Sequence, residues 1–88
     1  MTRRKITYGE LEDLLMAEGF SKTVVPRSHV AFDRKEAGAS LLLPIHKRGD
    51  EAPPRHVAMV RGTLVDFGVM KKQDFERWLA DPKNFQAA

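Results

Sequence analysis

The sequence contains no cysteine and no long apolar run, and each absence excludes a class of protein. Without cysteine there are no disulfides and no thiolate metal clusters, and the three histidines are too scattered to predict a structural zinc site. No stretch is apolar enough to serve as a signal peptide or to span a membrane. We therefore expect an intracellular protein of the reducing cytoplasm that uses no cofactor.

The length and the net charge of the chain indicate its domain organisation and the class of its partner. A chain of 88 residues, 42% of them hydrophobic, predicts a single domain over residues 1–88 with one modest core. A basic arm at 1–5 and a short tail at 81–88 would flank this core, and the chain has neither an internal repeat nor a low-complexity tract. The net charge of +3 favours a polyanionic partner only weakly, so the distribution of residues is more informative than their total charge.

The first helix is marked at both ends. Thr7 and Glu10 have the spacing of a capping box, in which each side chain bonds the other residue's backbone amide. Gly19 supplies a left-handed stop, so the predicted helix covers residues 8–18. Its outer face, which includes Glu12, carries acidic residues and no base, and this face should repel nucleic acid.

Three strands are predicted after this helix, and they would form an antiparallel meander. The predicted strands cover residues 20–25, 29–34 and 40–45. In the third strand, alternation sends Leu41, Leu43 and Ile45 to one face. Because Pro44 has no amide to donate, this strand lies at an edge or its pairing stops there.

The match of apolar faces between the second and third strands predicts their register. The registers that keep the apolar faces together bring His29 opposite Pro44 or His46, with Arg27 close to the same end. Two histidines and an arginine would then share the open face of the sheet, provided that no bulge shifts the pairing.

Two helices are predicted in the last third of the chain. Pro54 suits a first helical position and Gly68 a stop, although Gly62 weakens the helix between them. The inward side of this helix would carry Val57, Val60, Leu64 and Phe67. We expect His56, in the first turn, to face solvent. A short last helix is marked by Phe75, Trp78 and Leu79.

Several short motifs resemble those of HicA-type toxins, the small mRNA interferases of bacterial toxin-antitoxin pairs, also known as the YcfA-like family. The similarity lies in residues 11–15 with Gly19 and Phe20, residues 28–32, residues 43–46, and residues 64–69 with Phe75. Each motif is short, and the specific part of the resemblance is their order and spacing over nearly the whole chain.

The resemblance implies an α+β fold like that of double-stranded RNA-binding domains. This is the order α-β-β-β-α with a short extra C-terminal helix, and a three-stranded antiparallel sheet with helices on one face. It also implies a metal-independent mRNA endoribonuclease that is the toxin of a type II pair, held by a cognate HicB-type antitoxin. The family's catalytic histidine follows a Gly-Ser pair and falls on His29, whereas Arg27 replaces the glycine. If that position requires a positive φ, the turn is remodelled or strained.

The residues themselves suit this chemistry. A histidine exchanges protons near neutral pH, so His29 is the candidate general base or acid for attack by an RNA 2′-hydroxyl. His46 is a candidate second proton carrier; the alternative is a strand-end histidine exposed to water. The residues expected to bind RNA are Arg27, Ser28, Lys47, Arg48 and Arg55.

Two other functions remain open from the sequence. One is an RNA-binding module without catalysis, which would keep its affinity for RNA after substitution of His29. The other is a protein-interaction domain that uses the open sheet face or the third strand's edge for a partner strand. Steep weakening of binding by salt would distinguish a phosphate partner from the apolar contacts of an added strand.

Overall fold

The computed structural model describes residues 5–83, so most of the arm at 1–5 and of the tail at 81–88 lies outside the described residues. The elements are α1 (Tyr8–Ala17), β1 (Ser21–Val25), β2 (His29–Arg34), a 3₁₀ turn (Lys35–Ala37), β3 (Ala39–Pro44), α2 (Pro54–Asp66) and α3 (Lys72–Ala80). This is an α+β arrangement of three helices and one three-stranded antiparallel sheet. None of the helices within residues 5–83 combines the length and the apolar character needed to cross a bilayer.

The predicted start of α1 is confirmed, and the helix ends at Ala17, one residue before the predicted end. The Glu10 amide donates to Thr7 Oγ1 at 3.1 Å, and the Thr7 amide donates to Glu10 Oε1 at 2.9 Å, which is the reciprocal capping box. Gly19 follows the helix with a φ of 88°, a conformation that glycine adopts without steric cost. The capping box therefore satisfies the amides of Thr7 and Glu10 by local chemistry.

The sheet has the predicted meander order β1-β2-β3, with β3 at an edge. His29 pairs with Pro44 on one side and with Val25 on the other, so one of the two registers predicted from face matching is the one observed. Strand β3 covers Ala39–Pro44, one residue earlier than expected. The prediction that Ile45 packs inward is wrong, because Ile45 follows the last strand residue and is 51% exposed.

The hydrophobic core lies between one face of the sheet and the helices. Its members from the sheet are Val30, Phe32, Ala39, Leu41 and Leu43. Its members from the helices include Leu11, Leu14, Leu15, Val60, Leu64, Phe75 and Trp78. Helix α2 continues unbroken through Gly62, but the inward position predicted for Phe67 is wrong, because this residue caps the helix and is 51% exposed.

Residues 46–53, here called the 46–53 segment, are bound to the start of α1. The carbonyls of Asp50 and Arg48 accept hydrogen bonds from the amides of Tyr8 and Gly9, each at 2.9 Å. The Ala52 amide donates to the Ile6 carbonyl at 2.8 Å. Composition predicts only a loop here, whereas the structure places this loop's backbone where it satisfies helix amides that have no partner within the helix.

The close approach at Gly9 makes a testable prediction. A Cβ at this position would lie 2.9 Å from the Arg48 carbonyl oxygen, so Gly9→Ala must displace the 46–53 segment. We expect the free energy of unfolding to fall by about 1–3 kcal/mol, measured by urea denaturation. At Gly62 the nearest atom to a new Cβ is Asp66 Oδ2 at 4.0 Å, so Gly62→Ala is the control. It should stabilise the protein by about 0.5–1 kcal/mol, because alanine is the better helix former. Equal stabilisation by both variants would contradict the tight contact at Gly9.

Candidate functional site

The face of the sheet that points away from the core carries the candidate site. Residues that pair directly across strands share a face, so the register places nine side chains together. This open face consists of Ser21, Thr23, Val25, His29, Ala31, Asp33, Ser40, Leu42 and Pro44. Leu42, in the middle of β3, is 54% exposed, and the β1 residues are exposed as well. The surface is therefore accessible to a partner larger than a small molecule.

His29 lies at the end of this face, as the first residue of β2. Its Nδ1 is 2.6 Å from Ser28 Oγ, and its cross-strand neighbours Val25 and Pro44 lie on either side. Within residues 5–83 no hydrogen-bond partner of Nε2 is found. The ring is half-buried, with one nitrogen held by its neighbour in the chain and the other available. This is an arrangement in which an imidazole can exchange a proton with a ligand on the open face.

The turn that delivers His29 is a type II turn with arginine in the glycine position. The Ser28 amide donates to the Val25 carbonyl at 3.0 Å, Pro26 takes the second position, and Arg27 has a φ of 64°. Type II turns favour proline at the second position and require a positive φ at the third, which is why glycine is usual there. Arg27 therefore adopts the backbone conformation of a glycine and places a cation beside His29 in the chain.

Backbone strain at Arg27 can be measured. The left-handed conformation costs an L-residue of this kind about 1–2 kcal/mol, so Arg27→Gly should raise the free energy of unfolding by about 1 kcal/mol in urea denaturation. Arg27→Lys is the matched control, since it keeps both the charge and the Cβ and should leave stability unchanged. A loss of stability in Arg27→Gly would mean that the arginine side chain makes a compensating contact.

The other predicted cations do not all converge on His29. Lys47 follows the end of β3 at the same end of the sheet, and it is exposed. Arg48 is engaged elsewhere, because its guanidinium donates to both carboxylate oxygens of Asp13 at 2.9 and 3.2 Å. Arg55 lies in the first turn of α2, where its charge acts on Tyr8 and His56. Arg27 stands in the turn that leads into His29, and Lys47 follows Pro44, the strand residue that pairs with His29, by three residues.

His46 is in a different place from the one predicted by strand parity. Its side chain is 3% exposed, its Nε2 is 2.5 Å from Glu12 Oε2, and its Nδ1 is 2.7 Å from the Pro44 carbonyl oxygen. The ring also stacks on Tyr8 with centroids 4.4 Å apart. Both ring nitrogens therefore lie within hydrogen-bond distance of oxygen atoms of the protein. The structure turns His46 toward α1 and away from the open face that carries His29.

Glu12 is the partner that the sequence pattern missed. Only 6% of its side chain is exposed, whereas the helical pattern placed it on an outer acidic face. Burial alone would raise the pKa of Glu12, but hydrogen bonds from His46 and Lys22 outweigh burial and bring its pKa below the ordinary value. Glu12 thus neutralises positive charge brought in from β1 and from the chain after β3. No local signal marks this pairing, because its partners are distant in sequence.

His56 also departs from its prediction. It is half-buried rather than solvent-facing, and its Nδ1 is 2.7 Å from the Tyr8 hydroxyl. Burial lowers the pKa of His56, and the neighbouring charge of Arg55 lowers it further. Burial raises the pKa of Tyr8, which keeps that hydroxyl protonated and able to donate. The neutral His56 ring accepts this hydrogen bond and ties the start of α2 to α1.

Comparison of this chain with protein-family models, with curated proteins and with solved structures gives no match.

Proposed function

We propose that the protein is a HicA-type toxin, a metal-independent mRNA endoribonuclease with a fold like that of double-stranded RNA-binding domains. The observation that carries this proposal is the placement of His29. Its imidazole stands at the end of an accessible sheet face, with Nδ1 held by Ser28 and Nε2 available. The short motifs of the sequence support the same family in the same order along the chain.

The proposed reaction is an internal transesterification of RNA. His29 takes the proton from a 2′-hydroxyl, the 2′-oxygen attacks the adjacent phosphorus, and the bond from phosphorus to the 5′-oxygen breaks. The leaving oxygen then receives a proton, and the products are a 2′,3′-cyclic phosphate and a 5′-hydroxyl end. Neutral histidine is suited to the first step near pH 7, and positioned proton transfer contributes about 10²- to 10⁴-fold.

Charge on the phosphate is the second requirement of this reaction. Arg27 stands two residues before His29 on an exposed turn, and Lys47 follows the end of β3, the strand that pairs with His29. In our proposal these two cations bind the backbone phosphates and stabilise the negative charge that builds up on the phosphate during attack. Arg48 contributes less, since its guanidinium is already bound to Asp13.

A chemically altered substrate tests the reaction without changing the protein. We expect purified protein to cleave RNA in the presence of a metal chelator. Cleavage should stop at a linkage whose 2′-hydroxyl is replaced by hydrogen, because the attacking group is then absent. Gel analysis should show a 2′,3′-cyclic phosphate at the 3′ terminus of the upstream fragment. Cleavage of the deoxy-substituted linkage would exclude this mechanism.

The composition of the open face favours a protein partner as well. Val25, Leu42 and the adjacent Ile45 are exposed aliphatic side chains near His29. Aliphatic surface of this kind suits a polypeptide better than the stacking of bases, which uses aromatic rings. The proposal is that a HicB-type antitoxin covers this surface together with His29. Binding of that partner should then resist salt much better than binding of RNA does.

A further inference from the structure

The hydroxyl of Ser28 lies against the His29 ring, although the sequence pattern assigns Ser28 to RNA binding. Ser28 Oγ is 2.6 Å from His29 Nδ1, a short hydrogen bond between adjacent residues. The Ser28 amide is also used, since it donates to Val25 and closes the turn. The hydroxyl and the amide of Ser28 are thus both used in hydrogen bonds within the protein.

The ring of His29 has no other polar anchor. Its cross-strand neighbours, Val25 and Pro44, have side chains without hydrogen-bonding groups. Within the described range 5–83, the Ser28 hydroxyl is the one group that hydrogen-bonds the ring. Without it, the ring could flip about its Cβ–Cγ bond, which puts Cε1 in the place of Nε2, and no group would hold the proton on Nδ1, because neither neighbouring side chain can hydrogen-bond the ring.

We propose that Ser28 is a positioning residue that occupies Nδ1 and leaves Nε2 as the nitrogen that exchanges a proton with RNA. This rests on the function proposed above. When His29 is the base, Nδ1–H donates to Ser28 Oγ and the lone pair on Nε2 receives the proton of the 2′-hydroxyl. The type II turn fixes the backbone before Ser28, and the pairing of His29 with Val25 fixes the backbone after it.

Three variants separate positioning from RNA contact. Ser28→Ala removes the hydroxyl, Ser28→Thr keeps it, and Ser40→Ala removes a serine of the same open face on β3, where it pairs with Asp33 instead of His29. Histidine ring ¹⁵N spectra of the labelled proteins should show one dominant tautomer of neutral His29 in wild type, Ser28→Thr and Ser40→Ala. In Ser28→Ala we expect mixed tautomers.

The kinetic arm uses an RNA oligonucleotide with one cleavable linkage. In Ser28→Ala, kcat should fall about 10- to 100-fold with KM unchanged, since a misplaced reacting group costs rate and leaves binding intact. Ser28→Thr should restore the rate. A rise in KM with kcat unchanged would assign Ser28 to RNA contact and overturn the proposal. An unaltered His29 spectrum in Ser28→Ala would overturn it equally.

The spectroscopic arm needs no RNA, so the two proposals fail separately. Loss of the single tautomer in Ser28→Ala, in a protein that does not cleave RNA, supports the positioning of the ring and contradicts the nuclease function. Cleavage by a protein in which Ser28→Ala changes neither spectrum nor kcat contradicts the positioning role alone.

Discussion

His29→Ala is expected to lower the rate of RNA cleavage by about 10²- to 10⁴-fold, the usual contribution of a positioned acid or base. The fold should survive, because this side chain lies on the open face and is only half-buried. Affinity for RNA should change little, since the phosphates are held by Arg27 and Lys47 in the proposed site. The rate is measured on a single-linkage RNA, and affinity on its uncleavable deoxy analogue.

Asp33→Ala is the control for His29→Ala. Asp33 lies on the same strand and the same open face, but it pairs with Ser21 and Ser40 at the far end of β2. It should retain the wild-type rate. If His29→Ala also retains the wild-type rate, the catalytic assignment fails. If wild type and variant bind RNA alike and neither cleaves it, the protein is a binding module.

Glu12→Ala should destabilise the protein by about 1–3 kcal/mol, because removal of the carboxylate leaves the buried His46 ring nitrogen without its hydrogen-bond partner. Its carboxylate contacts His46 and Lys22, and His46 is itself almost fully buried. Since a domain of this size is stable by roughly 5–15 kcal/mol, this loss is a large share of the total. Chemical denaturation of the two proteins measures the difference directly.

The neighbouring carboxylate gives a matched control. Asp13 also pairs with a cation, Arg48, but both side chains are more than half exposed. Asp13→Ala should therefore cost less than about 1 kcal/mol, as exposed ion pairs usually do. Equal losses of stability for Glu12→Ala and Asp13→Ala would mean that burial does not make the Glu12–His46 pair more stabilising than the exposed Asp13–Arg48 pair.

The lowered pKa of Glu12 fixes the sign of a pH effect. A carboxyl group whose pKa is lower in the folded state contributes stability above its unfolded pKa, about 4.3, and this contribution is lost as pH falls through the folded value. The difference in free energy of unfolding between wild type and Glu12→Gln should thus shrink as the pH falls from about 4.3 through the folded-state pKa of Glu12. Urea denaturation at several pH values tests this, and a constant difference would contradict the lowered pKa.

Local signals in the sequence were sufficient for several elements. The Thr7–Glu10 capping box, the alternation in β2 and the proline at the start of α2 each act over a few residues, so they predict structure without knowledge of the fold. The pairing of His29 with Pro44 also follows from side-chain alternation, because a slip of one residue would turn every side chain over. Parity does not locate the end of a strand, which is why Ile45 was misplaced.

The buried polar groups have no local signal of this kind in the sequence. Glu12 and His46 are 34 residues apart, and the hydrogen bond between Tyr8 and His56 spans 48. A carboxylate on a helix is normally assigned to solvent, since an unpaired charge is rarely buried. One clue was available at Gly9, because a glycine in a first helical turn can mark the close approach of another backbone. It did not say which segment approaches.

The binding of the 46–53 segment has a consequence for how anions meet this protein. The amides of the N-cap Thr7 and of the first three residues of α1, Tyr8 to Glu10, already have acceptors in Glu10, Asp50, Arg48 and Thr7. The positive end of this helix macrodipole is thus occupied by the protein's own oxygens and offers no free donor to a phosphate. A nucleic acid must instead be held by long cationic side chains, whose attraction ordinary salt weakens.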